Sequence, residues 1–306
     1  MFTDYDVIII GSGSAGLAAG IYTSRAGLST LILEKEIMGG ELMNLQLIEN
    51  YPGFGTGVQG PELGSAMLEQ ATNAGAEIEI GEVTSIKNKA GYKLVKTADQ
   101  SLTCKGIIIA SGAHPRKLGV PGEAEFSYKG VFYCATCDGA HYAGKSVAVA
   151  GAGDSGVTDA LYLERLGCKV TIIELMPQPK ASKVMLERAY ANPNVEIKLG
   201  TKIETVLGEE QITAVDVQEV ETGQKSRLDV EGLLVRIGPA PNTQFVQNIL
   251  QLNPIGLIPV NENMETSIPG IYAAGDVREH SPMQIATAVG DGVIAAMALG
   301  RYIQSL

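Results

Sequence analysis

The chain has 306 residues, 45% hydrophobic and 19% charged, with 37 glycines, no tryptophan and a formal net charge of −11. This length suggests about two domains, and the composition is that of a globular protein rather than a disordered or fibrous one. The acidic balance argues against nucleic acid or an anionic membrane as a partner, and no apolar run reaches the roughly 18 residues that cross a bilayer.

The start, Met1 to Asp6, carries no basic stretch and leads straight into a strand pattern. No secretory signal is expected, and a cytoplasmic location is. Four cysteines are too few for a disulfide scaffold. Inside a cell, a Cys-x-x-Cys pair is more often catalytic or metal-binding than structural.

Val7-Ile8-Ile9-Ile10 is a β-branched run, the pattern of a buried parallel strand. It enters Gly11-Ser12-Gly13-Ser14-Ala15-Gly16; residues 17–26 then read as a helix, and Leu31-Ile32-Leu33 as a second strand ending at Glu34. Strand, G-x-G-x-x-G, helix, strand and acid in this order make a dinucleotide-binding unit. Gly11 permits the tight turn, Gly13 lets the backbone approach a pyrophosphate, and Gly16 lets helix and strand pack closely. The pyrophosphate would sit at the helix N-terminus, and Glu34 would accept from a ribose.

The unit recurs. Residues 6–34 align without a gap on residues 146–174, with nine of 29 positions identical, among them Gly11/Gly151, Gly13/Gly153, Gly16/Gly156 and Glu34/Glu174. Two such sites in one chain call for two different nucleotides. A flavin and a nicotinamide dinucleotide are the natural pair, because hydride passes between them.

Between the two units, Asn50 precedes Tyr51-Pro52-Gly53 and reads either as a flavin ligand or as a turn residue. Residues 61–74 have helical spacing, residues 77–103 read as a small sheet, and residues 106–110 as a buried strand ending in Ser111-Gly112. His114-Pro115-Arg116-Lys117 is a proline-containing link, followed by Cys134-Ala135-Thr136-Cys137-Asp138. Taken alone this pair is redox-active, half of a zinc site, or core. After the second glycine turn, Gly151 to Gly156 with Asp154 and Ser155, the acid is Glu174, and no basic residue follows until Lys180. A carboxylate here suits a ribose 2′-hydroxyl and repels a 2′-phosphate, which predicts NADH over NADPH; the alternative is a Glu174 that points to solvent. Strand-like segments then lead to Gly238 and a second link, Pro239 to Thr243, so the second unit reads as an insertion. Residues 270–276 repeat strand, glycine turn and acid, with Gly275 and Asp276, and residues 283–302 read as a long helix. Its start could face a flavin; periodicity alone makes it a packed helix.

The order of these motifs resembles the low-molecular-weight thioredoxin reductases over nearly the whole chain. It does so through Gly11–Gly16, Gly39-Gly40, Glu49–Gly53, Cys134–Gly139, Gly151–Gly156, Ile237-Gly238 with Pro241-Asn242-Thr243, and Ala273–Asp276. The resemblance implies an α/β fold of two Rossmann-like, three-layer ββα domains, the second inserted into the first. Their expected limits are 1–116 with 245–306 for FAD, and 117–244 for the nicotinamide nucleotide and the Cys-x-x-Cys. It implies an FAD site of Gly11, Ser12, Gly13, Ala15, Gly16, Glu34, Lys35, Gly40, Glu41, Asn50, Val83, Ser111, Gly112, Gly275, Asp276, Gln284 and Ile285. The NAD(P) site would comprise Gly151, Gly153, Asp154, Ser155, Glu174 and Gly238. Cys137 would be the flavin-proximal sulfur, Cys134 the one that exchanges with thioredoxin, and Asp138 the acid/base, its alternative being a turn or cap residue. A homodimer and a rotating inserted domain are also implied; separately, scattered histidines and the lack of a second cysteine pair lead to no metal being expected.

Two departures stand out. NADPH-dependent members usually carry His-Arg-Arg-x-x-x-Arg where this chain has Glu174-Leu175-Met176 and then Lys180, and Arg where it has Met283. Relatives without those arginines take electrons from NADH or from ferredoxin, so ferredoxin stays open as donor. A ferredoxin–nucleotide reductase of the same architecture is a second reading, opposed by the cysteine pair. A zinc-bearing nucleotide-sensing module is a third, opposed by the lack of further clustered ligands.

Overall fold

The computed structural model describes residues 3–45 and 47–306. Contacts gather the chain into two units, Met1–His114 with Ala240–Leu306, and Pro115–Pro239. These limits lie a little before the expected 116 and 244. Asn242 donates its N–H to Gly112 at 3.0 Å and Thr243 its hydroxyl to Gly256 at 2.8 Å, which ties the returning link into the first unit. Arg116 donates its N–H to Gly238 at 3.1 Å and so belongs to the second.

The first unit begins with β1 (Tyr5–Ile10), α1 (Ser14–Arg25), β2 (Thr30–Glu34), α2 (Gly60–Asn73), β3 (Glu77–Ile80), β4 (Ser85–Lys89), β5 (Tyr92–Lys96) and β6 (Ser101–Ile109). The connecting strand β7 (Ala113–Pro115) leads out of it. The second unit holds β8 (Val131–Phe132), α3 (Ala135–Asp138), β9 (Ser146–Ala150), α4 (Asp154–Arg165), β10 (Lys169–Ile173) and α5 (Lys183–Tyr190). Then come β11 (Val195–Lys198), β12 (Thr201–Gly208), β13 (Ile212–Glu219), β14 (Lys225–Asp229) and β15 (Gly232–Val235). The link β16 (Pro239–Pro241) leads back to β17 (Ile271–Ala273) and α6 (Ile285–Gln304).

In the first unit the parallel strands run β3-β2-β1-β6, with β17 also parallel on β6, and β5 and β4 continue antiparallel from β6. The expected separate small sheet at 77–103 is therefore absent: β3 edges the parallel sheet and β4–β5 hang from the same sheet. The reason is the length of β6. Its first residues, Ser101 to Cys104, pair with β5, and its last, Ile107 to Ile109, pair with β17.

Three layers explain why β1 is apolar without alternation. Val7 and Ile9 pack with Leu17, Ile21 and Leu299 on the helical side, while Ile8 and Ile10 pack with Val95, Ile107 and Val246 on the other. Each such side chain contributes about 1.5–3 kcal/mol on full burial, so both faces must be covered. Gly106 leaves room for α6: a Cβ there would lie 2.3 Å from Leu299 Cδ1.

The second unit repeats the plan. Its parallel sheet has the order β11-β10-β9-β15-β8, and β12-β13-β14 form an antiparallel meander. Val147 and Val149 face the helical core with Leu163 and Cys168; Ala148 and Ala150 face Val206 and Val215. Cys104 and Cys168 are free and fully buried, and burial pushes the Cys104 thiol up to about 12. Among the described residues no helix is long and apolar enough to cross a membrane.

Candidate active site

The two glycine turns are superimposable in their chemistry. Gly11 has φ +102° and donates its N–H to Leu33 at 2.8 Å; Gly151 has φ +107° and donates to Ile173 at 2.8 Å. Side chains rarely adopt such φ values, and a Cβ would meet the Ala110 oxygen at 2.3 Å or the Arg236 oxygen at 2.5 Å. At Gly16 and Gly156 a Cβ would lie 1.9 and 2.1 Å from the Gly11 and Gly151 oxygens, so helix and turn touch through glycine alone.

The middle glycines differ. Gly13 (φ −68°, ψ −174°) and Gly153 (φ −80°, ψ 176°) have backbones open to any residue. A Cβ on either would meet nothing within 4 Å. Among the described residues nothing occupies the space that a side chain would take at these two positions. Neither helix has a side-chain N-cap hydrogen bond, which leaves the first-turn N–H groups for an anion. This fits a dinucleotide pyrophosphate at both turns.

Each turn is closed by its acid in the same way. Glu34 Oε2 accepts from the Ser12 N–H at 2.8 Å and the Ser12 hydroxyl at 2.7 Å, and its Oε1 from the Glu36 N–H at 3.1 Å. Glu174 Oε2 accepts from the Ala152 N–H at 2.7 Å, and its Oε1 from the Met176 N–H at 2.9 Å. Glu174 is therefore half-buried and fixed over the turn, not directed into solvent.

Most of the expected FAD residues gather at the carboxyl edge of the first sheet. A Cβ on Gly40 would be 3.0 Å from the Gly13 Cα, one on Gly275 3.0 Å from the Ala15 Cβ, and one on Gly11 3.0 Å from the Ser111 Cα. The Gly39 N–H donates to the Ser12 hydroxyl at 2.9 Å. Ser111 and Asn242 exchange hydrogen bonds through their side chains and carbonyls at 2.7 and 2.8 Å, beside Gly112. Asn50 donates to Gln284 at 3.1 Å, which joins two expected flavin contacts. Helix α6 starts at Ile285 and not at Met283, because Met283 has φ +54° and Gln284 is extended. Three further expected residues have these surroundings. Val83 is buried in the core below the sheet, Lys35 pairs with Glu82 at 3.2 Å on the surface, and Glu41 is exposed with Asn44 at 3.4 Å.

The residues after β17 hold a feature that periodicity hides. Asp291, on the buried face of α6, accepts from the Gly275 N–H at 3.1 Å and from Arg278 at 2.6 and 3.0 Å. It fixes the turn that carries Asp276. Burial pushes the Asp276 carboxyl up to about 6; the Ser281 hydroxyl and Arg278 oppose this, and Asp291 adds to it. The signal available in the sequence was an acid on the apolar stripe of an otherwise small-residue helix.

In the second unit Asp154 accepts from the Ser182 N–H at 2.7 Å at the start of α4, Ser155 is exposed beside it, and Gly238 has φ +102°. Cys134 and Cys137 are joined as a disulfide at the end of β8. Cys134 Sγ accepts from the Cys137 N–H at 3.2 Å and lies 3.5 Å from the Thr136 hydroxyl. Cys137 is exposed and Cys134 half-buried. Burial pushes the Asp138 carboxyl above the usual carboxylate range, and His141 pulls it back. Among the described residues no group of three or more His, Cys, Asp or Glu could hold a metal ion.

Comparison with known proteins bears on the whole chain. The family model for pyridine nucleotide-disulphide oxidoreductases matches residues 5–292. A thioredoxin reductase of Bacillus subtilis (strain 168) is 41% identical over 303 residues, 99% of this chain and 96% of that protein. The crystal structure of thioredoxin reductase from Streptococcus pyogenes MGAS5005 is 40% identical, covers 99% of both chains and has a TM-score of 0.90. Thioredoxin reductase from Giardia duodenalis is 31% identical over 98% of this chain and 99% of that one, with a TM-score of 0.92. With two matched glycine turns, two fixed acids and a disulfide in one chain, these likenesses make it an oxidoreductase that belongs to the pyridine nucleotide-disulphide oxidoreductase family, among the low-molecular-weight thioredoxin reductases.

Proposed function

We propose that this enzyme is an FAD-dependent thioredoxin-disulfide reductase that takes electrons from NADH in preference to NADPH and delivers them through Cys134–Cys137 to thioredoxin or a thioredoxin-like protein. The unit of residues 1–114 and 240–306 holds FAD at the Gly11–Gly16 turn, with Glu34 toward a ribose. Residues 115–239 hold the nicotinamide nucleotide at the Gly151–Gly156 turn. FAD, when bound, supplies the two-electron chemistry between a hydride donor and a disulfide.

The protein's own part lies in sulfur and proton transfer. Once the internal disulfide is opened, the Cys134 thiolate attacks one sulfur of the partner disulfide, and the other partner sulfur leaves as a thiolate. Asp138 gives that thiolate a proton. Cys137 then attacks Cys134 Sγ, the internal disulfide re-forms, and the second partner thiol is released. Two electrons and two protons pass to the partner. The N–H that Cys137 aims at Cys134 Sγ supports Cys134 as the stabilised nucleophile.

Asp138→Asn tests the proton step. A raised carboxyl keeps its proton to higher pH, so proton donation is present below its pKa and fades as pH rises through it. The variant is expected to lose roughly 10²-fold in thioredoxin reduction and to lose the alkaline limb that this carboxyl adds to the pH profile. Stopped-flow measurements across pH read both; an unchanged profile removes Asp138 from the mechanism.

The observation that carries the donor assignment is the fixed Glu174 carboxylate, held as Glu34 is held. A 2′-phosphate there would meet a negative charge held in place by two backbone N–H groups. The test is anaerobic bleaching of the yellow protein by NADH, NADPH and reduced ferredoxin in parallel. NADH is expected to be fastest; faster bleaching by NADPH, or by ferredoxin alone, overturns the reading. The same preparation is expected to weigh about twice its 32.1 kDa chain, as a homodimer. Ile294 and Met297, exposed on α6, give an apolar face that a second copy could cover.

A further inference from the structure

One side chain of the second unit reaches both the nucleotide helix and the peptide that carries the reactive sulfur. Arg236 follows β15, and its carbonyl oxygen borders Gly151. Its Nε lies 2.7 Å from Asp159 Oδ2 on α4, and its Nη1 donates to the Tyr133 carbonyl at 3.3 Å. Tyr133 directly precedes Cys134. β15 and β8 run parallel, with Leu233 opposite Val131 and Leu234 opposite Phe132; continued by two residues, that register sets Arg236 level with Cys134.

Asp159 is nearly buried on α4, while the Arg236 side chain that meets it is 30% exposed. Asp159 is 9% exposed, and neither Asp159 Oδ2 nor Arg236 Nε has another polar partner among the described residues. Burial pushes the Asp159 carboxyl up and Arg236 pulls it down. A nearly buried carboxylate is costly unless it is paired, and Arg236 is the cation that pairs with Asp159.

We propose that Arg236 is a positioning residue for the dithiol. Its side chain locks the peptide entering Cys134 onto α4, and the charge it holds there, offset by Asp159, sets how readily Cys134 ionises once the disulfide is opened. This rests on the reading of Cys134–Cys137 as the redox pair. The thiolate is the nucleophile, and a neighbouring cation favours it. Other charges around Cys134 are Asp138 and His141 on the following turn. On the preceding side, Lys117 Nζ lies 3.7 Å from the Tyr133 ring centroid and Glu123 accepts from the Tyr133 hydroxyl at 3.1 Å. Of these, only Arg236 bonds the backbone that enters Cys134, and its pair can be unbalanced from either side without touching a sulfur or Asp138.

The test is alkylation of the reduced, full-length holoprotein by iodoacetamide across pH, with the label at Cys134 located by mass spectrometry. The buried Cys104 and Cys168 serve as slow references. Asp159→Asn leaves the guanidinium unopposed and is expected to speed Cys134 labelling at pH 7 by about tenfold, the effect of one pKa unit. Arg236→Met leaves the carboxylate unopposed and is expected to slow it by a similar factor. Arg236→Lys keeps the charge and is expected to fall between Arg236→Met and the wild type. Opposite signs are the signature, because a purely structural role would loosen the segment in both variants and move labelling one way. Shifts of the same sign, or none, overturn the proposal. If Arg236→Met does not fold, Asp159→Asn must still accelerate labelling. A wild-type Cys134 as slow as Cys104 at every pH would instead sink the redox reading itself.

Discussion

Cys134→Ser is expected to lower thioredoxin reduction by at least ~1,000-fold, as removal of a covalent nucleophile does, while the yellow colour still bleaches when donor is added. On the proposed path the two outcomes separate because hydride acceptance needs no sulfur, whereas the exit needs the sulfur that meets the partner. Two sulfurs are candidates for that role. Cys137 is the more exposed, and exposure alone would select it. Cys134 Sγ, however, accepts the Cys137 N–H at 3.2 Å. A hydrogen bond to the charged form favours that form, and this one, made in the closed disulfide, would favour the Cys134 thiolate if retained on opening. The complementary variant reads the other half of the assignment. Cys137→Ser is expected to trap partner and enzyme as a mixed disulfide, because Cys134 can attack but nothing can release it. Full activity in Cys134→Ser, or a trapped complex formed through Cys137 instead, would reverse the roles.

Glycines and acids made the two nucleotide units legible because their reasons are local. Gly16 and Gly156 are forced by a carbonyl oxygen five residues earlier in the chain, and the acids fall at a set spacing after a strand. The long parallel strands were legible from continuous apolar runs. What could not be read was the joining of β4 and β5 to the parallel sheet, since alternation within a strand says nothing about its neighbour. Nor could the ion pairs that join helix to loop be read. Arg278, beyond the turn after β17, pairs with Asp291, and Arg236, directly after β15, pairs with Asp159; each acid lies inside a helix. Which acid meets which base is decided by how helix and sheet pack, and neither residue looks unusual alone. The seating of Glu174 lies between these cases: its spacing was visible, but its direction depended on the Ala152 and Met176 N–H groups.

Gly13→Val and Gly153→Val are expected to give two different loss-of-function proteins, both folded. Each position has an ordinary backbone and open space around its missing Cβ, so a valine is expected to cost little stability beyond a weaker N-cap. The same space is where a pyrophosphate would approach the turn. A branched side chain there is expected to cost about 3 kcal/mol of binding or more, about 100-fold in affinity. Gly13→Val should therefore purify colourless, with circular dichroism close to wild type. Gly153→Val should remain yellow yet resist bleaching by NADH, while chemical reduction by dithionite still works. Gly16→Ala and Gly156→Ala supply the contrast. Their Cβ would fall 1.9 and 2.1 Å from backbone oxygen, so these variants are expected to lose melting temperature with or without nucleotide. A yellow Gly13→Val protein would mean that the first turn does not cradle a pyrophosphate, and rapid NADH bleaching in Gly153→Val would mean the same of the second.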